Sequence, residues 1–455
     1  MIKILILGGG FGGVRCALDL NKKIGTKAKI TLIDKKSYHL FAPALYEVAS
    51  AYGVKRDLFA VRLKKTICIP YSDIFENKKI YPVRGKTPLQ EGSSADRVPQ
   101  EWGCPHSENH ALQAGRTSNG INFIQAEISS IDLENKKVAT RGGEILDYDY
   151  LAIALGSQAA NLGILGVKEY AFQFKSFEDA LFLNRKMEEL IKEVAARQRP
   201  QPIKITVVGA GFTGIEVATE FACYIKKLSK EYGIKGRCER MMLLEAGPRI
   251  LPAVSDDERN IILKRLTRLG IEVLENVAAE EIESNRIKLK NGKHLDADLV
   301  IWTAGVRLPD LLEKTPVLPL TGKKKIKVND SLEVTGLSNV FAIGDNTEFV
   351  DPKTGKLLPA LAYIAVDQGK IAAKNISMSI DRKKLIEYNP FYSVWIAPVG
   401  GKYALAHLWG GINIKGFWGW VIREIVDLKY MLSILPVKRA ISIMWQEITL
   451  FTKND

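Results

Sequence analysis

One local pattern occurs twice in this chain: a short apolar run, a glycine turn, a helical stretch and a second apolar run that ends in an acid. The first copy runs from Ile2 to Leu7 through Gly8-Gly-Gly10-Phe-Gly-Gly13, then Val14, Ala17 and Leu18 at helical spacing, then Lys29-Ile-Thr-Leu-Ile-Asp34. The second runs from Ile203 to Val208 through Gly209-Ala-Gly211-Phe-Thr-Gly214, a helix from Ile215 through Ala222, and Arg240-Met-Met-Leu-Leu-Glu245. Strand, turn, helix, strand and acid in this order make a βαβ unit that receives a dinucleotide. The glycines allow a tight turn and close backbone approach, the helix N-terminus offers N–H groups to a pyrophosphate, and the acid accepts from ribose hydroxyls.

Two such units on one chain point to FAD together with a nicotinamide nucleotide, with the protein bringing the two rings together; one unit would suggest a simple dehydrogenase. An acid at the end of the second strand accepts from a ribose 2′-hydroxyl and repels a 2′-phosphate, so Glu245 favours NADH over NADPH. Arg249, four residues on, works against that preference.

Composition narrows the rest. The 455 residues are enough for about three domains. With 46% apolar and 25% charged residues, neither wholesale disorder nor a multi-span membrane protein is expected. A formal charge of +14 favours an anionic partner. Lysines and arginines are dispersed and no helix-turn-helix, zinc-finger or RNP pattern appears, so nucleic acid is not the expected one. Cys16, Cys68, Cys104, Cys223 and Cys238 contain no CxxC pair, which argues against iron–sulfur, zinc-ribbon and disulfide frameworks and fits a reducing compartment. The apolar start stops at Gly8 with no cleavage site, so it reads as a buried strand and not as a signal sequence. No uncharged apolar run reaches the length of a membrane-crossing helix.

Three more apolar strands have small-residue ends: Tyr148 to Ser157 with Ala-Leu-Gly156, Ala297 to Val306 with Thr-Ala304-Gly305, and Asn339-Val-Phe-Ala-Ile-Gly344-Asp345. Together with the two glycine turns, this combination resembles the two-dinucleotide-binding-domain flavoprotein reductases. Within that superfamily, His39 to Ala49 (HLFAPALYEVA), Gly209 to Glu216 (GAGFTGIE) and Pro359 to Lys370 (PALAYIAVDQGK) are similar to the type II NADH dehydrogenases. The resemblance implies an α/β fold of two Rossmann-like domains, the NADH domain inserted in the FAD domain, plus a C-terminal amphipathic helical membrane-binding region. It implies cofactor contacts at Gly8, Gly10, Phe11, Gly12, Gly13, Asp34, Lys35, Gly156, Gly344 and Asp345 for FAD. For NADH it implies Gly209, Gly211, Phe212, Thr213, Gly214, Glu245, Ala304 and Gly305. Glu216 stands where the family places a carboxylate that relays protons. Tyr363 stands where the family's quinone-site helix carries a glutamine, and a phenol can also donate to a quinone carbonyl.

The expected boundaries are 1–165 for the first part of the FAD domain, 166–320 for the NADH domain, 321–380 for the rest of the FAD domain and 381–455 for the C-terminal region. Residues 82–120, rich in Gly, Pro, Ser, Gln and Asn, read as a loop or insertion; Cys104, His106 and His110 within it are irregularly spaced, and no metal is expected.

Five of the seven tryptophans (Trp395, Trp409, Trp418, Trp420, Trp445) lie in the last 61 residues. From Phe417 to Leu428, Arg423, Glu424 and Asp427 share one arc of a helix while Phe417, Trp418, Val421, Ile422, Ile425 and Leu428 fill much of the rest. After Pro436, Lys438, Arg439, Ser442, Gln446 and Thr449 keep to one strip, and Glu447 alone interrupts the apolar face. Such a pair suits a monotopic anchor on anionic lipid at the cytoplasmic face of the cell membrane; packing on the chain's own sheet or in a homodimer would use the same amphipathicity. The expected reaction carries a hydride from NADH to flavin and two electrons on to a quinone, ubiquinone or menaquinone, without proton pumping. A soluble reductase of a ferredoxin or rubredoxin, and a flavin-dependent redox scaffold or sensor, are the rival readings.

Overall fold

The computed structural model describes residues 1–52, 57–75 and 120–451. The expected insertion, with Cys104, His106 and His110, lies outside the described residues except for Gly120. Contacts divide the chain into two compact units that alternate along it: Met1–Ser37, Tyr71–Gly156 and Pro309–Tyr388 form the first, and Tyr38–Pro70, Ser157–Leu308 and Asn389–Asp455 the second.

The first unit is built on a five-stranded parallel sheet in the order Val340–Ala342, Tyr150–Ile153, Ile2–Leu7, Ala28–Asp34, Ile121–Gln125. Ile4, Ile6 and Leu7 are wholly buried, as expected of a central strand covered on both faces. On this sheet the Phe11–Ile24 helix meets the Ala362–Ile380 helix at backbone distance. A β carbon on Gly369 would stand 2.5 Å from the Gly12 carbonyl oxygen, so the crossing requires glycine there.

The second unit repeats the plan, with the order Ala171–Gln173, Leu299–Trp302, Ile203–Val208, Glu239–Leu244, Ile271–Leu274, again parallel. In both sheets the strand before the glycine turn is central, flanked on one side by the strand that ends in the acid. Its helices start where the sequence caps them: Ser176 with Asp179 and Ser255 with Glu258 form capping boxes ahead of Phe177–Ala195 and Asp256–Leu269. Trp302, Val208 and Leu244 centre a core that the Trp302 indole N–H closes by donating to the Ala160 carbonyl at 2.7 Å.

The same unit carries a three-stranded antiparallel sheet, Trp395–Pro398, Ala404–His407 and Asn413–Gly416, followed by helices Phe417–Ile434 and Val437–Phe451. These two helices are inverted relative to an ordinary surface helix. Arg423, Asp427 and Glu447 are buried, whereas Trp418, Ile425 and Trp445 are 68%, 60% and 70% exposed. Among the described residues no helix is long and apolar enough to cross a membrane.

Candidate active site

Both glycine turns are shaped by needs of their own backbone. Gly8 has φ +98° and Gly209 φ +106°, where side chains are strained. A β carbon on Gly13 would lie 1.9 Å from the Gly8 carbonyl oxygen, and one on Gly214 1.9 Å from that of Gly209. Gly10 and Gly211 are different. Their φ values, −72° and −76°, suit any residue, and a β carbon on either would meet no protein atom within 4 Å. Glycine at these two positions therefore keeps open a space that the fold itself does not use, immediately ahead of a helix whose first N–H groups have no carbonyl in their own helix. A dinucleotide pyrophosphate fits that cradle in each unit.

The two acids are fixed in the same way. Asp34 accepts the Gly9 N–H at 2.6 Å and the Lys36 N–H at 2.8 Å, one on each oxygen. Glu245 accepts the Ala210 N–H at 3.0 Å and the Gly247 N–H at 2.7 Å, again one on each. Each oxygen keeps a lone pair for a ribose hydroxyl. Burial raises the Asp34 carboxyl above the usual range, against the pull of those N–H groups and of Lys36 and Lys35. Arg249 donates to Asp256 at 3.0 Å, a carboxylate that it shares with Arg259.

In the first unit, Phe11 opens the helix half-buried, Gly12 faces the neighbouring helix and Lys35 is exposed. The strand ends at Gly156 and Gly344 are joined by Asn346, which sequence reasoning missed. Its Oδ1 accepts the Gly156 N–H at 3.0 Å and its amide donates to the Ile153 carbonyl at 3.2 Å. Gln368 accepts the Gly344 N–H at 2.6 Å, and Lys325 donates to the Asp345 carbonyl. Tyr71 donates to the Gly9 carbonyl at 2.9 Å. Gln368 stands in the quoted PALAYIAVDQGK segment and Asn346 directly after Gly-Asp, but a buried amide gives no periodic signal. Tyr363 is the second residue of the Ala362–Ile380 helix and is partly exposed.

In the second unit, Phe212 lies 5.5 Å from Trp395, which stacks on His407, while Thr213 is exposed. The Ala304 amide nitrogen would be 2.8 Å from a β carbon on Gly209, so the Thr-Ala-Gly strand end walls the turn; Gly305 has φ +76°. Glu216, one turn into the helix, is pushed up to about 7, first by burial and then by Glu47 and Asp427, against the pull of Arg423. Arg423 pairs with Glu47 and stands 3.3 Å from both Glu424 and Asp427, its guanidinium over the Tyr46 ring. Sequence reasoning placed Arg423 on a polar arc with Glu424 and Asp427 but did not single out Glu47 or the pair the two make. No cluster suited to a metal ion occurs among the described residues.

Residues 2–369 match the family model described as pyridine nucleotide-disulphide oxidoreductase. The chain belongs to this family. Among curated relatives, the type II NADH:quinone oxidoreductase of Staphylococcus saprophyticus is 27% identical, over 94% of each chain. That of Staphylococcus aureus is 28% identical over 95% of this chain and 96% of its own. Among solved structures, NDH2 from Plasmodium falciparum in complex with NADH superposes with a TM-score of 0.76 at 19% identity, covering 98% of each chain. The sulfide:quinone oxidoreductase of Aquifex aeolicus reaches 0.70 at 20% identity, over 95% of this chain and 91% of that one. These superpositions establish the expected α/β fold with Rossmann-like cores.

Proposed function

We propose that the chain is a flavoprotein that oxidises NADH and reduces a membrane quinone. The observation that carries this reading is the doubled cradle: two glycine turns, each with a glycine that serves only an outside occupant and each with an acid held for a ribose. The first turn, with Asp34, Gly156, Gly344 and Asp345, binds FAD; the second, with Glu245, Ala304 and Gly305, binds NADH. FAD supplies hydride acceptance and two-electron storage when bound. The protein supplies position and exclusion of water. The helix starting at Phe11 and the helix starting at Phe212 each hold a pyrophosphate, and Glu245 selects against a 2′-phosphate. Glu216, with proton affinity near neutrality, is matched to give or take a proton at working pH. Tyr363 donates to a quinone carbonyl.

The chain works as a peripheral protein on the cytoplasmic face of the membrane. The exposed face of the last two helices carries Trp418, Ile425, Val426, Val437, Ile441 and Trp445, with exposed Lys415, Lys429 and Lys438 near it. Aromatic and aliphatic side chains enter the headgroup boundary while lysines meet anionic lipid. A soluble reductase has no use for such a face. The test is to purify the protein from membranes, record its flavin spectrum, and follow NADH oxidation with and without a soluble quinone analogue. Bound flavin and quinone-stimulated oxidation are expected; absence of flavin would sink the reading. Replacing Trp418, Ile425 and Trp445 together by Ser should move the protein to the soluble fraction, and a change of oligomeric state instead would assign the face to a homodimer.

A further inference from the structure

Among the described residues of the second unit, three carboxylates contact one guanidinium and two more are acted on by its charge. Arg423 pairs with Glu47 and lies beside Glu424 and Asp427, and Glu216 and Glu447 feel the same guanidinium. With every acid ionised, five negative charges would face one positive charge in a region where Glu47, Asp427 and Glu447 are 7%, 8% and 2% exposed. Glu447 is the extreme member. Neither of its carboxylate oxygens accepts a hydrogen bond, although both are buried. An ionised carboxylate without a donor is far costlier to bury than the neutral acid.

The charged groups acting on Glu447 are Glu47 on the Leu45–Ala49 helix and Arg423, Glu424 and Asp427 on the Phe417–Ile434 helix. The Asp57–Ile67 helix, also packed against it, buries Leu63, Thr66 and Ile67, leaves Arg62 and Lys65 exposed, and holds the Lys64 ammonium over the Tyr38 and Phe177 rings. On its own helix Lys438 is exposed and Arg439 partly so. Among the described residues Arg423 is the cation that acts on Glu447, and burial first, then Glu47, Asp427 and Glu424, raise its proton affinity well above the usual carboxylate range.

We propose that the acid cluster around Arg423 stores the proton that Glu216 delivers during quinone reduction, and that Glu447 is where this proton rests. The inference is built on the NADH:quinone reading. NADH gives up a hydride, which is two electrons and one proton; a quinone gains two electrons and two protons as its two O–H bonds form. One further proton must come from elsewhere. It leaves the Glu447 carboxylic acid as its O–H bond breaks, the cluster passes the equivalent of that proton to Glu216, and a proton from water restores the acid afterwards. Arg423 is a positioning residue here: it keeps Glu216 and Asp427 within reach of neutrality while it leaves Glu447 neutral.

Two measurements on the full-length holoenzyme test this. In infrared spectra at neutral pH, Glu447→Gln should remove one protonated-carboxyl C=O band and leave thermal stability unchanged, because the amide has the shape of the neutral acid. An unchanged band would overturn the assignment. In rapid mixing of NADH-reduced enzyme with a water-soluble quinone analogue in weak buffer containing an indicator dye, quinol should form before the dye registers proton uptake. In Glu447→Gln, and separately in Asp427→Asn, the two signals should coincide and quinol formation should slow by about tenfold, the effect of a proton less available by one pKa unit. Flavin reduction by NADH should keep its rate. Coincident signals in the unmodified protein would overturn the store alone, whereas failure of NADH to reduce the flavin would overturn the NADH:quinone reading and the store with it, leaving the infrared band to decide where the proton sits.

Discussion

The two glycine turns share a backbone and differ in their walls. At the second position of the first turn, a β carbon on Gly9 would strike the Tyr71 hydroxyl at 1.9 Å; at the same position of the second, Ala210 carries a methyl that is fully buried without conflict. The acids differ by one methylene, yet both accept the N–H of that second residue. Positive φ and close carbonyl approach are demands of the turn itself, so they recur wherever the turn does. The wall belongs to whatever packs against it, and that is where the two turns differ.

The largest expected effect separates the two cradles. Gly10→Val should yield protein without bound flavin, read from the visible spectrum; Gly211→Val should retain flavin and raise KM for NADH at least about tenfold, the cost of roughly 1.4 kcal/mol of lost binding. Loss of flavin in both variants, or in neither, would break the assignment of one nucleotide to each turn. The walls come next. Gly9→Ala should lower stability by about 1–3 kcal/mol through overpacking against Tyr71, whereas Ala210→Gly should cost about 1 kcal/mol or less, both measured by denaturant unfolding. Equal costs would mean that Tyr71 swings aside.

The acid of the second turn gives a smaller, more specific difference. Glu245→Ser should shift the ratio of kcat/KM toward NADPH by about tenfold if about 1–2 kcal/mol of repulsion is removed. Arg249 is held by Asp256, so an unchanged ratio would send the search to that pair. The smallest effect concerns the Ala362–Ile380 helix of the first unit. Tyr363→Phe removes one hydrogen bond of about 0.5–1.5 kcal/mol. Quinone-dependent kcat/KM should fall by about two- to tenfold while flavin reduction by NADH keeps its rate in stopped flow. The reverse pattern would place Tyr363 on the nicotinamide side.

Both sheets, their central strands and the acids at their ends were legible because a glycine turn after an apolar run makes backbone demands that few residue types meet. The polar contacts behind them were not. Asn346 reads as an ordinary residue after a Gly-Asp turn, and its role depends on Gly156, 190 positions earlier. The Glu47–Arg423 pair joins residues 376 positions apart, and nothing near either one announces the other. In the C-terminal helices the arcs of polar and apolar residues were visible, but periodicity gives the width of each face and not its direction. Glu447 looked like a flaw in an apolar face; it is an inward-facing member of the acid cluster.

That inversion has a consequence for the newly made chain. A protein whose last two helices turn tryptophan and isoleucine outward is expected to act as a surfactant. It should collect at an air–water boundary and lower surface tension at concentrations where the Trp418, Ile425 and Trp445 serine variant does not. On the proposed membrane reading, the cell has to deliver it to lipid, or shield it, faster than two such faces find each other.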